Sequence, residues 1–313
     1  MDTSSTQESV EQLLEDARVA LKSMFRYLPS DGWKSRLYLV TLLCQAPAVF
    51  ARGFLAYCAV TIGSWRFDML VSPGFAAWAV GLAPLIWSFS TFWFPGGGWW
   101  WHRYHGAREP SSIEEERILG AIKHLGSRAE DVGEYLRLYI YDSQKFLAYA
   151  RGRTLLLSIG VLESKFLKPA VAHELGHFNL GDARVIQALD RLVIGNPFPP
   201  IEDKQPRDPS IGMVVTFRRW FLQIAGGQPL LNFPPLRAAW ADYLRKTDLE
   251  ADSFAADLGQ DMALARYLKA YELQREQPNP RLLFNYREHV PVAQRIAALN
   301  RRSSSERKPR RTG

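Results

Sequence analysis

The longest stretch of this sequence without a charged side chain covers residues 69–101, which is 33 residues in a row. An α-helix needs about 20 apolar residues to cross the hydrocarbon core of a bilayer, so this stretch is long enough to span one. A second apolar segment, residues 37–63, precedes it and is interrupted by Arg52. We therefore predict a membrane hairpin of two spanning helices, near residues 38–62 and 70–94. Pro95 and the three glycines after it would end the second helix.

The charge of Arg52 favours an alternative, a buried hairpin in a soluble protein. A charge near the bilayer centre costs roughly 2.5–3.5 kcal/mol on insertion scales, unless it faces protein or a cavity. The tryptophans of residues 69–101 favour the membrane, because this residue type is enriched at bilayer interfaces.

Basic residues at the ends of the two segments predict their orientation. The connection between them carries only Arg66, next to Asp68. Positively charged flanks stay in the cytoplasm. We therefore expect an integral protein of the cell membrane, with everything after residue 102 facing the cytoplasm. The flanking basic residues are Arg18, Lys22, Arg26, Lys34 and Arg36 before the first segment, and Arg103 and Arg108 after the second.

The chain divides into four predicted regions. An amphipathic helix occupies residues 1–36, the hairpin residues 37–101, a soluble domain residues 102–300 and a basic disordered tail residues 301–313. Alternating apolar residues predict strands at 136–140 and 153–158. Helical periodicity predicts a mostly helical α+β domain, with a small sheet beside its central helix. The predicted helices of this domain are 112–125, 166–180, 182–192, 212–224, 236–258, 261–275 and 291–301.

The net charge of +7 comes partly from the tail, which is either a solvated segment or one attracted to anionic lipid head groups. The tail has no aromatic residues to stack on bases and the chain has no nucleic-acid-binding motif, so we expect no nucleic-acid partner. The two cysteines, Cys44 and Cys58, both lie in apolar sequence and do not form a disulfide framework.

The chemistry is concentrated in the sequence His173-Glu174-Leu175-Gly176-His177. Residues four apart lie on one face of a helix, so both imidazoles can hold the same metal ion. Glu174 lies next to that ion and can take a proton from a water molecule. This HExxH pattern indicates a zinc metallopeptidase.

A catalytic zinc needs a third protein ligand, and the best source is the stretch from Asp248 to Asp252. Asp248 and Asp252 share a helix face, so Asp248 can bind the metal while Asp252 orients a ligand histidine. Glu250 points elsewhere and stays a less favoured alternative ligand.

Four stretches together resemble the membrane zinc metallopeptidases that include HtpX and the CAAX prenyl endoproteases. The resemblance covers roughly residues 130–300 and the hairpin before them. The four stretches are residues 154–162, residues 171–177 followed by Gly181-Asp182, residues 248–252, and His289-Val290-Pro291 with Arg295-Ile296.

This resemblance implies a zincin-like fold of the gluzincin type with one zinc ion per chain. It implies that His173 and His177 bind the zinc and that Glu174 is the base. The family's third ligand is a Glu, and its register falls on Asp248, which is one methylene shorter. His289 would stabilise the oxyanion, and Arg295 would hold the site together.

The family resemblance implies a membrane-anchored endopeptidase acting on protein or peptide substrates, with membrane protein quality control as one expected role. Residues 153–158 would be the edge strand that binds substrate. The charged and Pro-rich stretch from Arg184 to Arg245 argues against further spans and against an enclosed chamber. Two alternatives stay open: a zinc-binding scaffold of the same fold without turnover, and a membrane adaptor. The sequence does not indicate an oligomeric state.

Overall fold

The computed structural model describes residues 32–43, 46–64, 72–93, 107–194, 234–274 and 290–306. These residues form eleven helices and four short strands. The helices are α1 (Gly32–Leu43), α2 (Ala46–Ser64), α3 (Pro73–Trp93), α4 (Ser112–His124), α5 (Ser127–Gly133), α6 (Ile159–Leu162), α7 (Leu167–Asn179), α8 (Asp182–Ile194), α9 (Pro234–Asp257), α10 (Asp261–Gln274) and α11 (Val292–Glu306). The strands are β1 (Ala107–Arg108), β2 (Arg137–Tyr141), β3 (Ala148–Arg151) and β4 (Thr154–Ser158).

The strands form one mixed sheet in the order β1-β2-β4-β3. β4 pairs in parallel with β2 and antiparallel with β3, so it is an interior strand. The expectation that residues 153–158 form the edge strand is therefore wrong. The edge beside α7 belongs to β3, a strand that the sequence analysis did not predict. Gly152, at φ +61°, makes the tight turn from β3 to β4 that positions this edge.

The predicted mostly helical fold with a small sheet is confirmed. α7 is the central helix, and its residues Ala170, Val171, Leu175 and Phe178 are fully buried. β3 and α4 pack against it, and so do α9 and α10. A helix that is buried on nearly every side is held by its packing, so any side chain it presents to a pocket is firmly positioned.

The predicted two-helix hairpin is only partly seen. Among the described residues one helix, Pro73–Phe92 in α3, is long and apolar enough to cross a membrane. The first predicted span, 38–62, is divided between α1 and α2, and residues 44–45 lie outside the described residues. Among the described residues of α2, the apolar part is Arg52–Ile62, which is too short to meet the same criterion.

α2 and α3 nevertheless pack as a close antiparallel pair. A Cβ atom on Gly53 would lie 3.0 Å from the carbonyl oxygen of Ala77, and one on Gly81 would lie 2.8 Å from that of Val49. These glycines thus let the two backbones approach closely. Arg52 is buried in this pair and donates to the carbonyl of Gly81 at 3.4 Å. Its charge faces protein, as a charge within an apolar hairpin requires.

Hydrogen bonds join α3 to the domain that carries the HExxH motif. Ser88 donates to the carbonyl of Ala188 at 2.6 Å, and Arg184 donates to the carbonyl of Phe92 at 3.2 Å. Arg184 is fully buried, and it satisfies a carbonyl in the last turn of α3. The apolar helix and the domain are therefore packed together through α8.

Several predicted boundaries differ in the structure. The helix predicted at 112–125 is α4, which ends at His124 and starts with a capping box formed by Ser111 and Glu114. α11 continues to Glu306, so the predicted start of the tail at residue 301 lies within a helix. The predicted helix at 212–224 and residues 1–31 of the N-terminal helix lie outside the described residues.

Candidate metal centre

α7 carries both histidines of the motif on its buried side. The motif residues His173, Glu174 and His177 are each 7% exposed. They lie at the bottom of a pocket, and a small part of each side chain is open to it. The helix ends at Asn179, and Gly181, at φ 72°, provides the left-handed residue that turns the chain. Asp182 then starts α8 directly beneath the last turn of α7. The short Gly181 turn thus brings a carboxylate back towards His177.

His173, His177 and Asp248 form the centre of the site. Each offers one ligand atom, and these three atoms lie within 4.8 Å of one another. The imidazole rings are 4.9 Å apart at an interplanar angle of 87°, and Nε2 of His177 lies 3.7 Å from Oδ1 of Asp248. Two imidazoles and a carboxylate are a ligand set that suits zinc. The residues present therefore fit a single ion.

The close approach of α9 to α7 depends on Gly176. A Cβ atom at this position would lie 2.7 Å from the Cα of Ala251, closer than such atoms approach in proteins. Because Ala251 lies between Asp248 and Asp252, this contact brings both carboxylates over the two histidines. Glu250 points away, and its carboxylate lies 3.5 Å from Nζ of Lys34 and 3.7 Å from Nζ of Lys246. Asp248, and not Glu250, faces the histidine pair.

Behind His173 lies the C-terminal flank of the site, which consists of Asp252 and Arg295. Oδ1 of Asp252 lies 2.9 Å from Nδ1 of His173. Arg295, on α11, donates two hydrogen bonds to the same carboxylate, at 2.7 and 2.5 Å. Burial opposes ionisation of Asp252, but the charge of Arg295 and its hydrogen bonds outweigh burial and lower the pKa of this carboxyl. Asp252 is thus a fixed acceptor for His173.

Behind His177 lies the N-terminal flank, which consists of Asp182 and Lys34. Oδ2 of Asp182 lies 3.7 Å from Nδ1 of His177, and Oδ1 lies 2.8 Å from Nζ of Lys34. Burial of the imidazole ring opposes its protonation, but the nearby carboxylate of Asp182 and the charges of Glu174 and Asp248 outweigh burial. The pKa of His177 is therefore raised. Lys34 is one of the basic residues that precede the first apolar segment, and its side chain is fully buried against Asp182.

The centre opens into a pocket beside the edge strand. Glu174 lines this pocket together with the three metal-ligating candidates. Tyr267 of α10 lines it as well, and burial, followed by the charge of Glu174, raises the pKa of its phenol, so the hydroxyl keeps its proton at neutral pH. The other lining residues are Ala148, Tyr149, Ala150, Arg151, Ile186, Leu268, Tyr271, Val292 and Arg295.

The structure unites most of the site residues predicted from sequence, and it adds others. His289, the predicted oxyanion residue, lies outside the described residues and stays a prediction. Tyr267 was not predicted as a site residue, because no local sequence pattern signals it. Asp182 was predicted without a role, although its position directly after the C-terminus of the motif helix is a usable signal. Lys34 could not be found from sequence, because it comes from a helix 139 residues before His173.

Comparison with known proteins leaves the family open. No family model and no curated protein matches this sequence. The structure is similar to the crystal structure of Ste24p from S. mikatae, with a TM-score of 0.41 and 16% sequence identity, over 94% of this chain and 74% of that chain. That similarity is too low to assign the chain to a family.

Proposed function

We propose that this protein is a membrane-anchored, zinc-dependent endopeptidase that hydrolyses peptide bonds with Glu174 as its general base. The observation that carries the proposal is the joint placement of His173, His177 and Asp248 in one pocket with Glu174. Three protein ligands leave a coordination position for water or substrate, which distinguishes a catalytic zinc from a structural one. His173, His177 and Asp248 would hold one zinc ion per chain.

When bound, zinc would lower the pKa of a water molecule to about 7 and polarise the carbonyl of the peptide bond. Glu174 accepts the proton of the attacking water and passes it to the leaving amine. Tyr267 presents a neutral hydroxyl at the same pocket, where it can donate to the carbonyl oxygen as negative charge develops. His289 is proposed for the same role, as the resemblance implies.

An extended peptide substrate would bind along β3. This strand is the edge of the sheet among the described residues, and all four of its residues line the pocket. A peptide that adds to a sheet edge is held by its backbone, so its sequence is read only by the pockets for alternate side chains. Binding of this kind suits unfolded segments of varied sequence, which agrees with a role in membrane protein quality control.

The membrane part of the proposal depends on α2 and α3. Large apolar residues of α3 are exposed, including Phe75 at 68%, Trp78 at 63% and Ile86 at 63%. A soluble protein rarely leaves such a band uncovered. We propose that lipid covers it, with the metal-binding domain on the cytoplasmic side. Release of the full chain from membranes by alkaline carbonate would contradict this anchoring.

The proposed base is tested by Glu174→Gln in the purified full-length protein. The amide is nearly isosteric, yet it cannot accept the proton. We expect the variant to bind zinc like wild type and to cleave an unfolded protein roughly 10²–10⁴-fold more slowly. Glu272→Gln is the matched control, because it makes the same chemical change at an exposed position of α10. Cleavage by Glu174→Gln at the wild-type rate would remove Glu174 from this role.

The same experiment separates the endopeptidase from the zinc-binding scaffold. The scaffold is favoured by Asp248 itself, because its side chain is one methylene shorter than the Glu that the family resemblance implies at this position. A scaffold would bind zinc in wild type and cleave no substrate in any variant. An endopeptidase would cleave until Glu174 is changed.

A further inference from the structure

Lys34 is an unusual residue in this fold because its ammonium group is completely buried. Its side chain is 0% exposed, and Nζ lies 2.8 Å from Oδ1 of Asp182 and 3.3 Å from the carbonyl of Leu180. Lysine is almost never fully buried unless it is paired, because desolvating the charge costs several kcal/mol. α1 therefore places a cation within the protein, against the carboxylate that follows α7.

Asp182 uses only one of its two oxygens in these contacts. Oδ1 faces Lys34 and also accepts a hydrogen bond from the hydroxyl of Tyr243 at 3.1 Å. Oδ2 and Nδ1 of His177 are both buried and have no hydrogen-bond partner among the described residues. These two atoms lie 3.7 Å apart, so a small rotation of the imidazole would join them.

That hydrogen bond is the one a metal-ligating histidine needs. If Nδ1 donates its proton to a carboxylate, Nε2 keeps its lone pair for the metal and the ring is fixed in orientation. Nε2 of His177 is the atom that faces Asp248. The unpartnered Nδ1 and Oδ2 therefore match a ring that completes its contacts when Nε2 binds a metal ion.

We propose that Lys34 is a positioning residue of the metal centre: it holds Asp182 in the orientation from which Oδ2 accepts the Nδ1 proton of His177. This inference rests on the proposed zinc site. The order cation, carboxylate, imidazole is the order found behind His173, where Arg295 holds Asp252. The helix α1, which overlaps the start of the first apolar segment, thereby becomes part of the site, and zinc affinity depends on α1 being docked.

The test measures zinc affinity of the full-length protein in detergent by competition with a chelator. Loss of an outer-shell partner lowers metal affinity about 10–100-fold, and we expect this for Lys34→Met and for Asp182→Asn. The double variant should lose little more than either single one, because both act through the same ring. Lys246→Met is the control: Lys246 also reaches Glu250 but is 54% exposed, and zinc affinity should not change.

The double variant also separates positioning from folding. Lys34→Met leaves the buried carboxylate of Asp182 without its cation, and Asp182→Asn leaves the buried ammonium of Lys34 with only the partly exposed Glu250. Lys34→Met with Asp182→Asn removes both charges of the buried pair. We expect the double variant to be more stable than either single one but to keep the weakened zinc affinity. It should also show an altered visible spectrum with cobalt(II) in place of zinc.

Wild-type zinc affinity and spectrum in the double variant would overturn the inference. If Asp248→Ala still abolished binding, the proposed function would stand. A wild-type protein that binds no zinc would overturn both.

Discussion

The two flanks of the metal centre contain the same three groups, a cation, a carboxylate and an imidazole, but they differ in the distance from carboxylate to imidazole. Behind His173, the carboxylate of Asp252 lies 2.9 Å from the imidazole, and Arg295 grips it with two hydrogen bonds. Behind His177, the carboxylate of Asp182 lies 3.7 Å from the imidazole, and one of its oxygens is held by the ammonium of Lys34 and the hydroxyl of Tyr243. A guanidinium fork fixes a carboxylate in two directions, whereas an ammonium acts as a point charge. We therefore expect the C-terminal flank to be rigid without metal. In the N-terminal flank, the hydrogen bond between Asp182 and His177 is not formed.

The largest effect is expected where the rigid flank is broken. Asp252→Ala leaves the guanidinium of Arg295 buried without its carboxylate, and removing one partner of a buried pair costs about 3–5 kcal/mol. Denaturant unfolding of the metal-free protein measures this loss. Asp257→Ala on the same helix is the control, since its pair with Arg302 is about one-third exposed. It should cost about 0–1 kcal/mol. Equal losses in the two variants would mean that the C-terminal flank contributes no more to the free energy of unfolding than a surface ion pair does.

A second change separates α9, which carries Asp248 and Asp252, from the helix that carries the histidines. Gly176→Ala pushes α9 away from α7, because the new Cβ would collide with Ala251. Overpacking of this kind costs about 1–3 kcal/mol, and we expect weaker zinc binding as Asp248 moves away. Gly120→Ala is the control, since a Cβ there meets nothing within 4 Å and alanine favours the helix. Unchanged zinc affinity in Gly176→Ala would show that the α7–α9 spacing does not set the site.

The smallest effect is expected at an ion pair far from both flanks. The hydrogen bond from Arg108 is the main cause that lowers the pKa of Glu114 from 4.5 to about 2. A lowered pKa in the folded state contributes stability above the unfolded value, and this contribution is lost as pH falls from about 4.5 towards 2. Glu114→Gln should remove that pH dependence, cost less than about 1 kcal/mol at neutral pH and leave zinc binding intact. An effect on zinc binding would contradict the separation of this pair from the site.

The two flanks also differ in how far the sequence could predict them. Asp252 is one helical turn after Asp248, so periodicity alone places both carboxylates on one face. The pairing of Asp182 with Lys34 spans 148 residues and crosses the apolar segment, and no local pattern signals such a contact. β3 was missed for a related reason, since four residues are too few to show a clear alternation. Among the described residues, the long helices after residue 111 were predicted well, because their periodicity extends over several turns.

Zinc binding in matched variants of α9 tests the proposed metal centre most directly. Elemental analysis and chelator competition on the wild-type protein should give one tightly bound zinc per chain. Asp248→Ala should lose affinity by more than the roughly 10–100-fold expected for an outer-shell partner. Glu250→Ala should bind zinc nearly as wild type does, because its carboxylate points to Lys34 and Lys246. Zinc binding that survives Asp248→Ala and fails in Glu250→Ala would contradict the site proposed for this protein.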